Sequence, residues 1–300
     1  MSKLKRCSIL LLAVIIFALD NAFLKAIPAG TEPFKVIALS SVIATPLLAL
    51  FFHRHLRAAA AGRCHLIVFL IAVSFTAYNY FNIASLAYIS VNTASFLFSL
   101  TVVIVPILQT LAGKHEPLSV WIGVVLIIGG IWFASGAVFA GNDTATGGLL
   151  SFSGAFIRAF FMIGVAWIAR RMDTCQMLVE LIFFTAVLSL PIWLLRDPQS
   201  FWHPVFPMEF LIPLLCFALL SIVLSTSIAT LVQRYTTATE TSVIFSTQLV
   251  FTLIFMALMP ETFLPPEPLT IVNAAGCLLI VSGSILATCD LAFLPQRLRQ

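Results

Sequence analysis

The sequence predicts an all-α membrane protein of ten transmembrane helices, arranged as two inverted five-helix repeats. Three observations predict this fold. Hydrophobic residues make up 61% of the chain and charged residues 9%, whereas soluble domains have roughly 45–50% and 25%. Several charge-free runs reach the roughly 20 residues needed to cross a hydrocarbon core. The second half of the chain repeats the pattern of the first, and an odd number of helices per repeat inverts the second copy.

The positions of the helices follow from the charge-free runs. The run 64–113 holds no Asp, Glu, Lys or Arg and accommodates two helices. The first helix follows basic residues, as a signal peptide does, but it has no small-residue cleavage site, so we expect it to be retained. Helices 1 to 10 are predicted at 7–27, 34–52, 66–87, 91–112, 118–139, 147–169, 174–195, 208–232, 239–259 and 268–289.

Basic residues indicate the orientation of the chain, because Lys and Arg accumulate on the cytoplasmic side of a membrane. With the N-terminus inside, the outer segments hold only Lys25, Lys35 and Arg196 of the 16 Lys and Arg residues. We therefore expect a multi-pass protein of the plasma membrane, a bacterial inner membrane, with both termini in the cytoplasm. The net charge of +4 then reflects topology, and we expect no nucleic-acid partner.

The two halves share a long-period pattern. The segment from Tyr88 to Ser99 aligns without a gap with the segment from Tyr235 to Ser246. We divide the chain into a first repeat, 1–140, a second repeat, 147–290, and a cytoplasmic tail, 291–300. Inverted repeats are a recurrent plan of secondary transporters, which bind substrate near the membrane midplane. Further matching pairs are Glu116-Pro117 with Glu267-Pro268, Gly123 with Gly276, Gly130 with Gly283, and Lys25 with Arg170.

These segments resemble the EamA-type members of the drug/metabolite transporter superfamily. The resemblance rests on the aromatic-rich run from Tyr88 to Pro106, on its copy from Tyr235, and on the glycine-punctuated hairpins from Glu116 and Glu267. It covers nearly the whole chain as two tandem copies. Membership implies a central cavity lined mainly by helices 1, 3, 4, 6, 8 and 9. It also implies substrates such as amino acids, nucleotide-related compounds, vitamins or drugs.

Three ionisable residues lie at membrane depth, where such groups rarely face lipid. Arg158 in helix 6 is a candidate to bind a substrate carboxylate or phosphate through its planar guanidinium. The alternative is that Arg158 forms an internal ion pair with Asp20 of helix 1 or Glu180 of helix 7. Asp20 is also a candidate proton-coupling group, because a buried carboxyl can exchange protons in the working range of pH.

Uncharged polar residues form stripes at helical spacing. Serines and threonines also serve helix packing, whereas the larger amides are harder to satisfy by packing alone. Tyr78, Phe81, Phe96 and Phe98 are candidates for an aromatic wall. We expect the glycines to pack helices, and Lys25 and Arg170 to anchor helix ends. The predicted substrate-binding residues are Asp20, Asn21, Tyr78, Asn79, Asn82, Ser99, Arg158, Ser225 and Gln248.

The predicted function is secondary transport of a small polar or amphipathic metabolite, as export or exchange by alternating access. The rivals are a membrane enzyme or flippase acting on a lipid-linked substrate, and a passive channel. The histidines lie in loops or at helix ends, and no G-x-x-x-x-G-K-[ST] loop is present, so we expect neither catalysis nor nucleotide hydrolysis. We expect no cofactor and no metal. The expected partners are a small-molecule substrate and the lipid bilayer, with the chain a monomer or homodimer.

Overall fold

A computed structural model of the protein describes residues 3–56, 62–134, 144–203, 205–259 and 271–288. The regular secondary structure in these ranges is helical, without strands. Within the described residues, nine helices are long and apolar enough to cross a membrane, and a tenth, Leu118–Phe133, is shorter. The all-α membrane fold of about ten helices is therefore confirmed. The predicted tail, 291–300, and the second hairpin from Glu267 lie outside the described residues.

The ten helices lie where the charge-free runs predict them. A short helix, Pro198–Trp202, was not predicted and lies between helices 7 and 8. The prediction for helix 5 extended to residue 139, and residues 135–139 lie outside the described ranges. From helix 1 to helix 10 the bounds are Lys3–Phe17 with Asp20–Lys25, Pro33–Phe51, Gly62–Leu86, Val91–Ser99 with Thr101–Leu111, Leu118–Ala134, Ala145–Ile168, Thr174–Arg196, Met208–Cys216 with Phe217–Thr226 and Ser227–Gln233, Ala238–Ser246 with Gln248–Leu258, and Ile271–Thr288.

Burial separates the central helices from the peripheral ones. In helices 4 and 9, 67% and 72% of the residues in the most apolar segment are buried, whereas in helix 10 the buried share is 28%. Each central helix begins at a hydroxyl cap: the Ser90 side chain accepts from the amide of Thr93, and Thr237 forms a capping box with Glu240. Ser90 and Thr237 occupy matching positions in the two repeats, so both central helices begin with the same type of hydroxyl N-cap.

Helices 5 and 10 pack against each other through glycines. A Cβ on Gly123 would lie 2.7 Å from the Gly283 carbonyl oxygen, and one on Gly130 would lie 2.7 Å from that of Gly276. The first glycine of each helix therefore meets the second glycine of the other, so the helices run in opposite directions. A two-fold axis between the repeats would produce this pairing, so the contact agrees with the predicted inversion, and it supports the predicted packing role of the glycines.

Two basic side chains make equivalent contacts in the two halves. Lys25 Nζ donates to the carbonyl oxygen of Ile89 at 3.0 Å, and Arg170 Nη2 donates to that of Thr236 at 2.9 Å. Ile89 and Thr236 are matching positions just before helices 4 and 9. Each cation therefore ties the end of its helix to the start of a central helix, whereas the anchoring at the membrane interface that we expect for both residues stays a prediction.

The two ends of the bundle differ in charge. At one end, Lys114 and Arg170 line the same cavity, and the Arg6 guanidinium donates to the Tyr235 carbonyl oxygen. At the other end, Arg196 Nη1 donates to the Tyr80 hydroxyl at 3.0 Å. Residues expected on the cytoplasmic side therefore lie together at one end. Which side of the bilayer this end faces stays a prediction.

Candidate functional site

A narrow cavity lies at mid-depth between helices 1, 3, 4, 6, 8 and 9, the six helices that the family resemblance implies. Its volume is about 20 Å³, which is room for roughly one water molecule. The wall combines a cation, a carboxylate, four amides and a group of aromatic rings. The lining residues are Phe17, Asp20, Asn21, Phe75, Tyr78, Asn79, Asn82, Phe98, Arg158, Phe217, Ser221, Ile222, Thr226 and Gln248.

Four of the six helices depart from α-helical geometry beside this cavity. Helix 1 is interrupted at 18–19, directly before Asp20, and helix 9 is interrupted at Thr247, directly before Gln248. Helix 4 is interrupted at Leu100, and helix 8 contains the π-helix Phe217–Thr226. Discontinuous helices at mid-depth and π-helical turns are both typical of functional sites.

The interruption of helix 1 is stabilised by side chains of helix 9. Asp20 and Asn21 favour a helix start over a helix interior, because their side chains compete for backbone hydrogen bonds. The carbonyl oxygen of Phe17 accepts from Gln248 Nε2, and that of Ala18 accepts from Thr252 Oγ1, both at 3.1 Å. Carbonyl groups that lose their helical hydrogen bonds within the membrane need such partners, because lipid acyl chains cannot form hydrogen bonds with them.

Asp20 and two amides form a polar network across four helices. The Asp20 carboxylate accepts a hydrogen bond from the Ser221 hydroxyl of helix 8. Asn21 Nδ2 donates to Ser95 Oγ of helix 4 at 3.0 Å, and Asn82 Nδ2 of helix 3 donates to Asn21 Oδ1 at 2.9 Å. Asn82 Oδ1 is buried and has no hydrogen-bond partner among the described residues, so it is an acceptor available in the cavity wall.

Arg158 is a buried cation that makes no direct ion pair within the described part of the chain. It is 8% exposed, and the described residues place no carboxylate oxygen within 4.0 Å of its guanidinium. The guanidinium carbon lies 5.0 Å from the Phe245 ring centroid and 5.5 Å from that of Phe98. Nη2 donates to Gln248 Oε1 in a long hydrogen bond of 3.4 Å. Most of the five guanidinium donors are therefore available to a ligand.

Of the two internal partners predicted for Arg158, Glu180 bonds elsewhere: its Oε2 lies 2.8 Å from His65 Nδ1, and its Oε1 accepts from Gln176 Nε2 at 2.8 Å. Asp20 lines the same cavity as Arg158 and interacts with it electrostatically, although the two side chains make no ion pair within 4.0 Å in the described structure. Asp20 therefore offsets part of the charge of Arg158 without a direct contact, and both groups line the cavity.

Seven of the nine predicted substrate-binding residues line the cavity: Asp20, Asn21, Tyr78, Asn79, Asn82, Arg158 and Gln248. Ser99 and Ser225 lie outside its wall. The Ser99 hydroxyl donates to the Ser95 carbonyl oxygen at 2.8 Å, and the Ser225 hydroxyl donates to that of Ala13 at 2.6 Å. Both hydroxyls bond the backbone, as serines in helix packing do.

The displacement of Ser225 follows from the π-helix. Ser225 was predicted from α-helical periodicity, in which residues four apart share a face. A π-helix has more residues per turn, and Ser221 and Thr226, five apart in the sequence, line the cavity instead. The Thr226 hydroxyl also donates to the Ser221 carbonyl oxygen at 2.9 Å.

Sequence reasoning missed part of the cavity wall. Phe17, Phe75, Phe217, Ile222 and Thr226 line the cavity but were not predicted. The chain contains 27 phenylalanines, so no compositional signal distinguishes the three in the wall from those that face lipid. Half of the predicted aromatic wall is also displaced, since Tyr78 and Phe98 line the cavity and the other two phenylalanines do not.

A group of metal-ligating residue types comes together at the basic end of the bundle. Ligand atoms of His55, Asp173 and Cys175 lie within 4.8 Å of one another. Asp173 Oδ1 accepts from the amides of Cys175 at 2.9 Å and Gln176 at 3.1 Å, and Oδ2 lies 3.1 Å from His55 Nδ1. Partial burial acts to raise the pKa of Asp173, but these hydrogen bonds outweigh it and hold the pKa below its ordinary value. The cluster is accounted for as the cap of helix 7.

A bundle of apolar helices around a polar, charged cavity is an arrangement found in membrane transporters. Residues 4–136, which are nearly the whole predicted first repeat, match the model of the EamA-like transporter family. The resemblance identified from the sequence is confirmed for this part of the chain, and the family that it matches is one of membrane transporters in the drug/metabolite transporter superfamily.

A crystal structure of another protein shows the same fold over the full length. It matches with a TM-score of 0.72 at 19% sequence identity, covering 100% of this chain and 99% of the other. At this identity the likeness shows the fold alone, and it includes the half that the family model does not match. No curated protein sequence matches the chain.

Proposed function

We propose that the protein is a secondary transporter, an exporter or exchanger, that moves a small polar metabolite carrying a carboxylate or phosphate group across the plasma membrane. Amino acids and nucleotide-related compounds are the classes that fit. The observation that carries the proposal is Arg158, a buried cation in the wall of a central cavity that forms no ion pair within 4.0 Å among the described residues.

The surroundings of Arg158 suit an anionic ligand. An isolated cation at membrane depth is costly, and here the rings of Phe98 and Phe245, one long hydrogen bond to Gln248 and the more distant charge of Asp20 offset part of that cost. A carboxylate or phosphate would accept two parallel hydrogen bonds from the guanidinium, which are among the stronger hydrogen bonds in proteins. The acidic group of the ligand would therefore bind to the Arg158 guanidinium and offset the rest of the cost of burying it.

Other residues of the cavity wall suit a hydrogen-bond donor. Asp20 carries an acidic group, and Asn82 Oδ1 is an unused acceptor. An ammonium or hydroxyl group of the substrate would donate to these oxygens while its acidic group binds Arg158. Asp20 is also our candidate for proton coupling, because a carboxyl that can exchange protons inside the membrane is the usual element of a proton relay.

The size of the cavity favours alternating access. About 20 Å³ admits roughly a water molecule and no metabolite, so the helices must separate before substrate binds. Helices 1, 4, 8 and 9 are each irregular beside the cavity, which provides positions where their halves can reorient. We infer that the two repeats, or helices 3, 4, 8 and 9 within them, rock around this point to expose it alternately to each side.

The test starts from the purified full-length protein and a panel of carboxylated and phosphorylated metabolites. A ligand that binds the folded state raises its melting temperature. Arg158→Gln should abolish that shift while expression remains normal, since a lost hydrogen-bonded charge weakens binding by roughly 10- to 100-fold. Arg158→Lys, which keeps the charge but not the planar fork, should retain a fraction of the affinity.

Transport in proteoliposomes completes the test. We expect saturable counterflow of the stabilising ligand in the wild type and none in Arg158→Gln. Arg234→Gln is the matched control, because Arg234 is an exposed arginine that lies outside the cavity wall. Undiminished counterflow in Arg158→Gln would remove Arg158 from the mechanism. A non-saturating conductance would identify a channel in place of a carrier.

A further inference from the structure

A second cavity lies at the basic end of the bundle. Its volume is about 420 Å³, against about 20 Å³ for the central cavity, and the two share no lining residue. It is formed by the ends of helices 4 and 6, the start of helix 9 and the connection after helix 4. The lining residues are Gln109, Lys114, Glu116, Ile163, Ala166, Trp167, Arg170, Arg171, Thr237 and Ala238.

The charge of this cavity favours an anion. Lys114, Arg170 and Arg171 line it, and in the described part of the chain none of them has a carboxylate oxygen within 4.0 Å. The one acidic lining residue is Glu116, whose Oε1 accepts from the Thr239 hydroxyl at 2.5 Å. Three cations and one carboxylate leave an excess of positive charge.

The cavity also contains positioned donors. The Arg171 guanidinium carbon lies 3.4 Å from the Trp167 ring centroid, so an aromatic face orients it. Arg170 Nη2 donates to the Thr236 carbonyl oxygen at 2.9 Å, which fixes one edge of its guanidinium. Gln109 is 4% exposed and lines the cavity. Its side-chain amide carries N–H donors that can bind an anionic group.

Apolar side chains continue from this cavity along the outside of the bundle. Ile107 and Leu111 on helix 4, and Phe160 and Trp167 on helix 6, are 42%, 79%, 47% and 44% exposed. Residues three and four apart share a helix face, so Phe160, Ile163 and Trp167 form one apolar stripe that leads into the cavity. In a bilayer this stripe faces acyl chains, and tryptophan marks the depth of the headgroups.

We propose that this cavity binds the phosphate headgroup of an anionic phospholipid. The phosphate lies among Lys114, Arg170 and Arg171, Gln109 donates to one of the headgroup oxygens, and the acyl chains follow the stripe between helices 4 and 6. Basic pockets between transmembrane helices at the membrane surface bind such headgroups in this manner. The site is independent of the central cavity and of what the protein transports.

The experiment measures lipid binding to the full-length protein in a neutral detergent by native mass spectrometry. The probes are dioleoyl phosphatidylglycerol, dioleoyl phosphatidylcholine with the same chains, and glycerol phosphate without chains. Each basic residue near a membrane surface contributes enough for a roughly fivefold change in affinity. We therefore expect Arg171→Gln to weaken phosphatidylglycerol binding roughly fivefold. Lys114→Gln, a second exposed site, should do the same.

Arg234→Gln is again the matched control: it removes an arginine that also lies over an aromatic ring, Tyr235 at 6.0 Å, at the same end of the bundle but outside the cavity. It should leave the affinity unchanged. Equal binding of the two phospholipids, no binding of either, or equal weakening by Arg234→Gln would overturn the proposal. Binding of glycerol phosphate as tight as that of the lipid would also overturn it, because the site would then take a soluble anion.

Discussion

The two halves of the chain agree at the ends of the helices and differ at the centre of the membrane. Lys25 and Arg170 make the same backbone contact, and Ser90 and Thr237 begin matching helices. At the centre, Arg158 has no counterpart, because Ala13 lies as far before Lys25 as Arg158 lies before Arg170. The duplicated contacts therefore hold the helix ends in place and form the frame of the protein, whereas residues without a counterpart, such as Arg158, supply the charge of the cavity.

Helices 3 and 8 show the same contrast. Helix 3 is a continuous α-helix, Gly62–Leu86, that presents the amides of Asn79 and Asn82 to the cavity. Its counterpart, helix 8, contains a π-helix and presents the hydroxyls of Ser221 and Thr226. One helix therefore supplies rigid amide donors and acceptors, and the other supplies hydroxyls on a backbone that departs from α-helical geometry.

The largest expected loss of stability follows a substitution at the glycine contact between helices 5 and 10. Gly130→Leu places a side chain against the Gly276 carbonyl oxygen at 2.7 Å and Ile280 at 2.8 Å. We expect a loss of about 3 kcal/mol or more, because overpacking against backbone cannot relax by a rotamer change. The measurement is the yield and melting temperature of monodisperse protein in detergent.

The neighbouring residue supplies the control for that substitution. A Cβ on Gly129 meets nothing within 4 Å, so Gly129→Leu should preserve the yield and raise the helix propensity of helix 5. If both leucine variants fold equally well, the close pairing of helices 5 and 10 is wrong, and with it the support that this pairing lends to an inverted repeat.

The centre can be broken next at Asp20, the acidic residue contributed by the first half. If Asp20 couples protons to transport, Asp20→Asn removes that coupling, and a pH gradient should no longer drive accumulation, while exchange without a gradient continues. Proteoliposome uptake with and without an imposed gradient measures this. Glu180→Gln is the control, because Glu180 is bonded to His65 away from the cavity. Gradient-driven uptake that persists in Asp20→Asn would assign proton coupling to another group.

Two serines of helix 8 test whether its π-helix determines which hydroxyls face the cavity. Ser221 donates to Asp20 in the cavity wall, whereas Ser225 donates to the Ala13 carbonyl oxygen outside it. Ser221→Ala should change substrate affinity by roughly two- to tenfold, the usual net effect of one hydrogen bond. Ser225→Ala should lower the unfolding free energy by about 1 kcal/mol and leave affinity unchanged. The opposite assignment of effects would mean that helix 8 is α-helical here.

The smallest expected effect concerns the caps of helices 2 and 7. Asp173 caps helix 7 with two backbone hydrogen bonds, whereas Glu32, at the same place before helix 2, makes no such bond. Asp173→Ala should lower stability by about 1 kcal/mol at neutral pH, and Glu32→Ala should lower it less. Melting temperatures of both variants measure the difference.

The pH dependence of the Asp173 cap has a definite sign. Hydrogen bonding holds the pKa of Asp173 below its ordinary value, so the folded state binds the proton more weakly than the unfolded state does. The cap therefore contributes fully above the unfolded pKa of about 3.9, and its contribution is lost as the pH falls through the folded pKa. The melting difference between wild type and Asp173→Ala should disappear at strongly acidic pH, and a constant difference would contradict this account.

The fold could be predicted from the sequence because the length and the apolar composition of membrane helices identify them. The run 64–113 contained two helices, as its lack of charge required. Charged and amide residues in the cavity were also predictable, since their cost in lipid forces them to face a polar interior. Asp20, Asn82 and Arg158 all line the cavity for this reason.

The remaining cavity residues were not predictable, because their position depends on backbone irregularity. The π-helix of helix 8 contains no glycine or proline that would mark it, and it moves the polar face from Ser225 to Thr226. The interruption of helix 9 at Thr247 likewise has no breaker residue. A regular periodicity cannot represent such turns, and tertiary contacts such as that between Ser225 and Ala13 decide them.

The tightness of the central cavity has a consequence for any binding measurement. A protein that is mostly closed binds ligand with its intrinsic affinity multiplied by the fraction of molecules that are open. Substitutions that favour the open form therefore raise apparent affinity without touching the ligand, and those that favour the closed form lower it. A variant that binds more weakly has lost a contact only if its conformational equilibrium is unchanged.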